Sequence, residues 1–189
     1  MNHFFNPWHH VPIGNNAPKI VKAIIEIPKG SKGKYELDKE TGLLNLNRVL
    51  FSAVHYPANY GLIPQTYYLD DDPLDILVFC AIDLLPLATL DARVVGVLRM
   101  KDECGPDEKI IAVAGHDPAF AHIRQLKDFP KHTLDEIKKF FMEYKILENR
   151  QVEVGEFFGQ ETAWECIETS RRLYNEKLKL QENEDSRHE

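Results

Sequence analysis

Apolar segments of strand length fill the first two-thirds of this chain, and helical periodicity is confined to the last third. The run at residues 76–82 is continuously apolar, which is typical of a strand buried on both faces. Further strands are predicted at residues 20–27, 92–100 and 109–114, and a hairpin at residues 34–50. Strands first and helices last indicate an α+β fold rather than an alternating α/β fold.

Two amphipathic helices are predicted in the last third. Thr133 followed by Glu136 predicts a capping box, after which apolar residues recur at helical spacing. A second helix is predicted at residues 161–180. A length of 189 residues fits one domain, which we expect at residues 1–180. Residues 181–189 are entirely polar, and we expect them to form a disordered tail.

Composition excludes several classes of protein. The net charge of −7 gives no general attraction for DNA or RNA. No apolar run approaches the roughly 18 residues of a membrane helix. The three cysteines, Cys80, Cys104 and Cys166, form no Cys-x-x-Cys pair, so neither a disulfide framework nor a zinc ribbon is indicated. We therefore expect a cytoplasmic protein with reduced thiols and with no nucleic-acid or membrane partner.

The sharpest local signal is Asp-Asp-Asp-Pro-Leu-Asp at residues 70–75. Carboxylates this close repel one another unless they are solvated or bound to cations. Asp70 and Asp72 can share one face of an extended chain, and Asp75 begins the buried run. The cluster suits a hard cation, although a solvated acidic turn is the alternative. An EF-hand is excluded, because its sixth position, a glycine in that loop, is Asp75 here.

A second acidic loop joins the strands predicted at residues 92–100 and 109–114. It contains Asp102 and Asp107, and taken alone it is more typical of a solvated turn. If both acidic loops open at the same end of a barrel, five carboxylates share one cavity. They cannot all stay ionised there unless cations neutralise them.

In their order along the chain, these segments resemble the soluble family I inorganic pyrophosphatases over about residues 6–175. The signature Asp-x-Asp-Pro-x-Asp falls at residues 70–75. The other matching segments are Ile-Glu-Ile-Pro at 25–28, Lys-Tyr-Glu at 34–36, Arg48, Tyr-Pro-Ala-Asn-Tyr-Gly at 56–61, Val-Gly-Val-Leu at 95–98, Asp-Glu at 102–103 with Asp107 and Lys109, and Phe-Phe-Met-Glu-Tyr-Lys at 140–145.

The resemblance implies a small, five-stranded, OB-like β-barrel with flanking C-terminal helices. It implies hydrolysis of pyrophosphate to two phosphates by a mechanism that uses several Mg²⁺ ions and a metal-activated water. In this chain Asp72 would be the general base. The metal ligands would be Asp70, Asp75, Asp102, Asp107 and Glu36, the substrate ligands Lys34, Arg48, Tyr60, Tyr144 and Lys145, and the supporting residues Glu26, Tyr56 and Lys109.

The same resemblance implies a homo-oligomer, either a hexamer or a dimer. Many bacterial members carry a histidine pattern at their trimer contact, and the matching positions here are Lys139, Glu143 and Ile146. The usual hexamer is therefore in question for this chain.

Two other functions stay open at this point. OB-like barrels bind single-stranded nucleic acid, and Gly-Ser-Lys-Gly at residues 30–33 superficially matches a KH-type loop. That loop follows a strand instead of joining two helices, and the chain lacks a basic stripe. A catalytically inactive acidic scaffold is the third hypothesis, against which stands the complete set of site-type residues.

Overall fold

The computed structural model of the chain describes residues 5–69, 72–103 and 105–188, with side chains described through residue 180. The strands are β1 (Ile20–Ile27), β2 (Gly33–Leu37), β3 (Leu44–Val49), β4 (Asn59–Leu62), β5 (Asp75–Phe79), β6 (Thr89–Asp102), β7 (Gly105–Pro106), β8 (Lys109–Ala114) and β9 (Glu153–Phe158). The helices are α1 (Pro7–His10), α2 (Lys131–Glu143) and α3 (Gln160–His188).

Five strands close into a barrel in the order β1-β4-β5-β8-β6, with β6 pairing back to β1. Neighbouring strands run antiparallel except β5 and β8, which are parallel. β9 pairs with β6, and β2 and β3 form a separate two-stranded hairpin. The α+β prediction and the five-stranded OB-like barrel are therefore confirmed.

Strand β5 is buried on both faces over residues 76–79, as the apolar run predicts. The predicted strand at residues 76–82 is too long: β5 ends at Phe79, and Ala81 and Ile82 are exposed. Leu77 and Phe79 pack in a cluster that includes Phe140 and Phe141 of α2. Ile76 and its alternate neighbours pack in a second cluster that includes residues of α3. Because side chains alternate along a strand, one face of β5 packs in the cluster that includes α2 and the other face in the cluster that includes α3.

The predictions for the two long helices differ from the structure. The capping box is wrong: α2 begins at Lys131 after Pro130, and no side chain caps it. Thr133 already lies in the first turn, where its N–H donates to the Pro130 carbonyl, so its hydroxyl is not at the cap position. The second long helix continues to His188, past the predicted end at residue 180.

In the described part of the chain, no helix has both the length and the apolar character that crossing a bilayer requires.

Candidate active site

One end of the barrel opens into a cavity of about 360 Å³ with a largely charged and phenolic lining, which we call the acidic cavity. Of the fourteen site residues predicted from the sequence, twelve line it: Glu26, Lys34, Glu36, Tyr56, Tyr60, Asp72, Asp75, Asp102, Asp107, Lys109, Tyr144 and Lys145. Arg48 is not part of this lining, and Asp70 lies outside the described residues.

The parallel pairing of β5 with β8 brings the two acidic loops together. Asp75 opens β5 directly beside Lys109, which opens β8. In parallel strands both N-terminal ends lie at the same edge of the sheet. The loops that precede these strands therefore meet there, and Asp107 comes next to Asp75 although the two are far apart in sequence.

Lys109 lies between the two carboxylates that converge at this edge. Its Nζ donates to Oδ2 of Asp75 and to Oδ1 of Asp107, and its side chain is buried. Burial alone would lower the pKa of Lys109, but the negative charges of Asp107 and Asp75 outweigh it and raise this pKa well above the usual value. Burial also raises the pKa of Asp107, with Asp75 adding to the effect and Lys109 opposing it.

Glu26 enters the acidic cavity through an irregularity in β1. Ile25 pairs with Gly61 and Ile27 with Tyr60, so Glu26 is an extra residue in the ladder. Such a bulge turns a side chain away from the regular alternation. The buried carboxylate accepts a hydrogen bond from the Leu37 N–H at 2.7 Å. Burial, reinforced by the charge of Asp75, raises the pKa of Glu26 to about 8.

The hairpin β2–β3 covers one side of the acidic cavity. Lys34 and Glu36 alternate along β2 and therefore share a face, with Lys34 Nζ 2.5 Å from Glu36 Oε1. The side-chain amide of Asn47 on β3 donates to the other oxygen of Glu36 at 2.8 Å. The hairpin thus presents a cation and a carboxylate side by side.

Three buried tyrosines form the apolar wall of the acidic cavity. Tyr56 packs against Tyr60 and Phe140, with ring centroids 5.4 and 4.8 Å away, respectively. Burial raises the pKa of Tyr56, Tyr60 and Tyr144, and Asp75 strengthens the effect for Tyr60. The three phenols therefore stay protonated at neutral pH and can donate hydrogen bonds to an anion.

The turn after α2 adds another cation to the lining of the acidic cavity. Lys145 Nζ donates to Asp102 Oδ2 at 2.8 Å, which joins this turn to the end of β6. Arg48, on β3, also contacts this turn: its Nε donates a hydrogen bond to Glu148 Oε1 at 2.9 Å. The Nη2 atom of Arg48 is buried and has no hydrogen-bond partner among the described residues.

Asp72 stands at the rim of the acidic cavity, just before β5. Its carbonyl oxygen accepts a hydrogen bond from the Tyr68 N–H at 2.8 Å, which closes the preceding loop. Its carboxylate Oδ1 lies 2.5 Å from Nζ of Lys39. The side chain is more than half exposed, so water can reach it.

The structure adds lining residues to which the sequence analysis gave no role: Trp8, Tyr35, Lys39, Glu103 and Arg150. Arg150 and Glu103 form an ion pair at the rim, with 3.3 Å between Nη1 and Oε1. Exposed charges of this kind carry no periodic signal. The ion pairs in which they take part become visible only once the fold brings distant loops together.

The donor chemistry of the acidic cavity fits a hard divalent cation. Its ligand-type groups are carboxylates, the oxygen ligands that Mg²⁺ prefers. Burial, with the neighbouring charge of Asp75, raises the pKa of Glu26 and of Asp107, and a cation bound beside them would oppose this shift. Among the described residues, no three His, Cys, Asp or Glu side chains form a ready cluster for a metal. The ammonium of Lys109 instead occupies the cation position between Asp75 and Asp107.

Comparison with known proteins identifies the family. A family model described as inorganic pyrophosphatase matches residues 23–175. The chain belongs to the inorganic pyrophosphatase family. The match to this family begins before Glu26 and ends beyond Lys145, so it contains all fourteen predicted site residues.

Relatives of the inorganic pyrophosphatase family match over almost the whole chain. Soluble inorganic pyrophosphatase 1 of Arabidopsis thaliana is 47% identical over 173 residues, which are 92% of this chain and 82% of that protein. The crystal structure of inorganic pyrophosphatase from Thermus thermophilus has a TM-score of 0.87 at 39% identity, covering 90% of this chain and 99% of that chain. The Helicobacter pylori inorganic pyrophosphatase has a TM-score of 0.84 at 42% identity, covering 88% and 99%, respectively.

Proposed function

We propose that this chain hydrolyses inorganic pyrophosphate to two phosphates in the acidic cavity, with several Mg²⁺ ions as cofactor. The observation that carries the proposal is the convergence of carboxylates with lysines and protonated phenols at one end of the barrel. A tetra-anion such as pyrophosphate is repelled by carboxylates alone, so cations must accompany it. Membership of the inorganic pyrophosphatase family supports this choice of substrate.

Asp72 is the proposed general base. Its exposed position at the rim gives a water molecule access to the carboxylate. Asp72 takes the proton as the water oxygen forms its bond to phosphorus, and the bond from that phosphorus to the bridging oxygen breaks. The leaving phosphate keeps the electron pair of the broken bond between phosphorus and the bridging oxygen. Proton transfer by a positioned side chain contributes roughly 10²–10⁴ in rate.

The cations and phenols stabilise the charge that develops on phosphate oxygens. Lys34 on β2 and Lys145 after α2 both line the acidic cavity. Tyr60 and Tyr144 add neutral donors from a buried wall, where hydrogen bonds to an anion are stronger than in water. Arg48 is the further proposed phosphate ligand, a role that would require its guanidinium to leave Glu148 and reach the acidic cavity.

Asp75, Asp102, Asp107 and Glu36 are the proposed metal ligands in the described part of the chain, and Asp70 is proposed from the sequence alone. When bound, Mg²⁺ would neutralise these acids together with the substrate and lower the pKa of a water ligand. Glu26, Tyr56 and Lys109 are proposed as supporting residues that shape the acidic cavity and balance its charge.

We further propose a cytoplasmic, homo-oligomeric protein. The described cysteines, Cys80 and Cys166, are free thiols, as a reducing compartment requires. The oligomer is proposed from the family resemblance. Nucleic-acid binding is the weaker alternative, because the cavity at the barrel end is rich in carboxylates that would repel a phosphate backbone.

The test is phosphate release from pyrophosphate by the purified chain. We expect hydrolysis with Mg²⁺, loss of hydrolysis with excess chelator and recovery when Mg²⁺ is added back. Asp72→Asn should fold normally and lose on the order of 10²–10⁴ in kcat. The matched control is Asp83→Asn, an exposed aspartate outside the acidic cavity, which should keep wild-type kcat. Absence of hydrolysis under all Mg²⁺ conditions would refute the proposed function.

A further inference from the structure

Lys39 lies in the turn between β2 and β3 and reaches across the rim of the acidic cavity to Asp72. Its Nζ is 2.5 Å from Asp72 Oδ1, and both residues line the acidic cavity. The two residues belong to different loops, so the contact depends on how those loops are held and not on sequence proximity.

Hydrogen bonds within the turn stabilise the segment that carries Lys39. Oδ1 of Asp38 accepts hydrogen bonds from the backbone N–H of Glu40 at 3.1 Å and of Thr41 at 2.7 Å, and from the Thr41 hydroxyl at 2.8 Å. Gly42 closes the turn with a φ of +71°, and a Cβ there would lie 2.8 Å from the Phe5 carbonyl oxygen. These hydrogen bonds and the close packing at Gly42 stabilise the turn that carries Lys39.

The N-terminal segment contacts both of the loops that form the Lys39–Asp72 ion pair. Nδ2 of Asn6 donates to the Lys39 carbonyl at 2.7 Å, and the Lys39 ammonium lies 5.9 Å from the centre of the Trp8 ring. The Trp8 indole donates to the Thr66 carbonyl at 2.8 Å, and the Thr66 hydroxyl accepts the Leu74 N–H at 3.0 Å. The loop that carries Asp72 is thus anchored to the same indole that contacts Lys39.

The exposure of this ion pair limits what it can do for stability. The Lys39 and Asp72 side chains are 48% and 55% exposed, and ion pairs this exposed contribute little to the free energy of unfolding. Its effect lies in geometry instead. An ammonium held against Oδ1 restricts rotation of the carboxylate about its Cβ–Cγ bond, and so fixes the direction of the second oxygen.

We propose that Lys39 is a positioning residue that holds the Asp72 carboxylate in the orientation needed to take a proton from water. The inference rests on the function proposed above. A misplacement of about 1 Å at a reacting group can cost roughly 10²-fold in rate. Loss of one restraint on a carboxylate that keeps its backbone anchor should cost less, on the order of tenfold.

The experiment compares Lys39→Met, Lys39→Arg and Lys22→Ala in the Mg²⁺-loaded enzyme. Lys39→Met keeps the length of the stem against Trp8 and removes the charge, so kcat should fall on the order of tenfold while KM stays within about twofold. Lys39→Arg should recover most of the loss. Lys22→Ala removes another partly exposed ion pair, with Asp91, away from the acidic cavity and should leave both constants unchanged. Equal thermal unfolding temperatures for Lys39→Met and Lys22→Ala would exclude a folding defect.

A double-mutant cycle decides whether Lys39 acts through Asp72. In an Asp72→Asn background, Lys39→Met should change kcat by no more than about twofold, because the group it positions is gone. An equal loss in both backgrounds, or a rise in KM with unchanged kcat, would overturn the proposal and indicate direct attraction of the substrate. If Asp72→Asn is impaired while Lys39→Met is not, only the role of Lys39 fails. If Asp72→Asn turns over like the wild type, the proposed base fails and Lys39 fails with it.

Discussion

Lys145 and Asp102 form an ion pair that is almost sealed from solvent. Nζ and Oδ2 are 2.8 Å apart, and the two side chains are 7% and 12% exposed. The pair ties the turn after α2 to the end of β6. A helix far from the acidic loops in sequence therefore supplies one wall of the acidic cavity, and the C-terminal third of the chain contributes directly to the site.

Breaking this pair should destabilise the metal-free protein. Lys145→Met removes the ammonium that faces the buried Asp102 carboxylate, which should lower the free energy of unfolding by about 3 kcal/mol. Lys145→Met combined with Asp102→Asn removes both charges and should recover part of the loss. Urea unfolding of the three proteins in chelator measures both effects. A single variant as stable as the wild type would contradict the assignment of a strong buried pair.

The charge of Glu26 should make the metal-free protein less stable as the pH rises. Its pKa is about 8 in the folded chain against an ordinary 4.5. Between these values the folded state holds a proton that the unfolded chain has released, so stability decreases from about pH 5 to pH 8. The decrease from this group is at most about 1.4 kcal/mol per pH unit.

Glu26→Gln isolates that contribution. The amide oxygen can still accept the Leu37 N–H, but nothing titrates at the position. Chemical denaturation of both proteins in chelator at several pH values should show that the variant gains stability relative to the wild type from pH 5 to pH 8. Parallel curves over that range would mean that Glu26 is not buried as an acid.

Gly61 on β4 is required for the close approach of β1. A Cβ at this position would lie 1.9 Å from the carbonyl oxygen of Ile24, a backbone atom that cannot move without opening the ladder. Gly61→Ala should therefore cost about 3 kcal/mol or more. Gly159→Ala is the matched control, because its nearest contact is the Glu161 carboxylate at 3.6 Å, and it should cost less than about 1 kcal/mol. Thermal unfolding of the two variants distinguishes them.

Much of the barrel was predictable because its strands carry strong local signals. β1 and β8 lie within their predicted ranges, since both are short and apolar. β4 was not predicted: its sequence Asn-Tyr-Gly-Leu has little strand propensity, and only pairing with β1 and β5 makes it a strand. β9 was missed as well, because its side chains are at most half-buried and show no clear run.

The sequence predicted which residues belong to the site better than it predicted which of them contact one another. The family resemblance selected Asp75, Asp107 and Lys109, but periodicity gives no hint that β5 and β8 are parallel neighbours. The family resemblance also selected Arg48, but the structure pairs it with Glu148, outside the lining of the acidic cavity. Lys39 was missed because an exposed lysine in a polar turn looks the same whether or not a distant carboxylate faces it.

The most direct test of the central claim is anomalous diffraction from crystals grown with Mn²⁺. We predict anomalous peaks inside the acidic cavity, within about 2.5 Å of carboxylate oxygens of Asp75 and Asp107. Data collected at the manganese edge, with a metal-free crystal as reference, locate such ions without reliance on activity. Manganese bound only at the outer surface, with Asp75 and Asp107 still paired to Lys109 alone, would contradict the account.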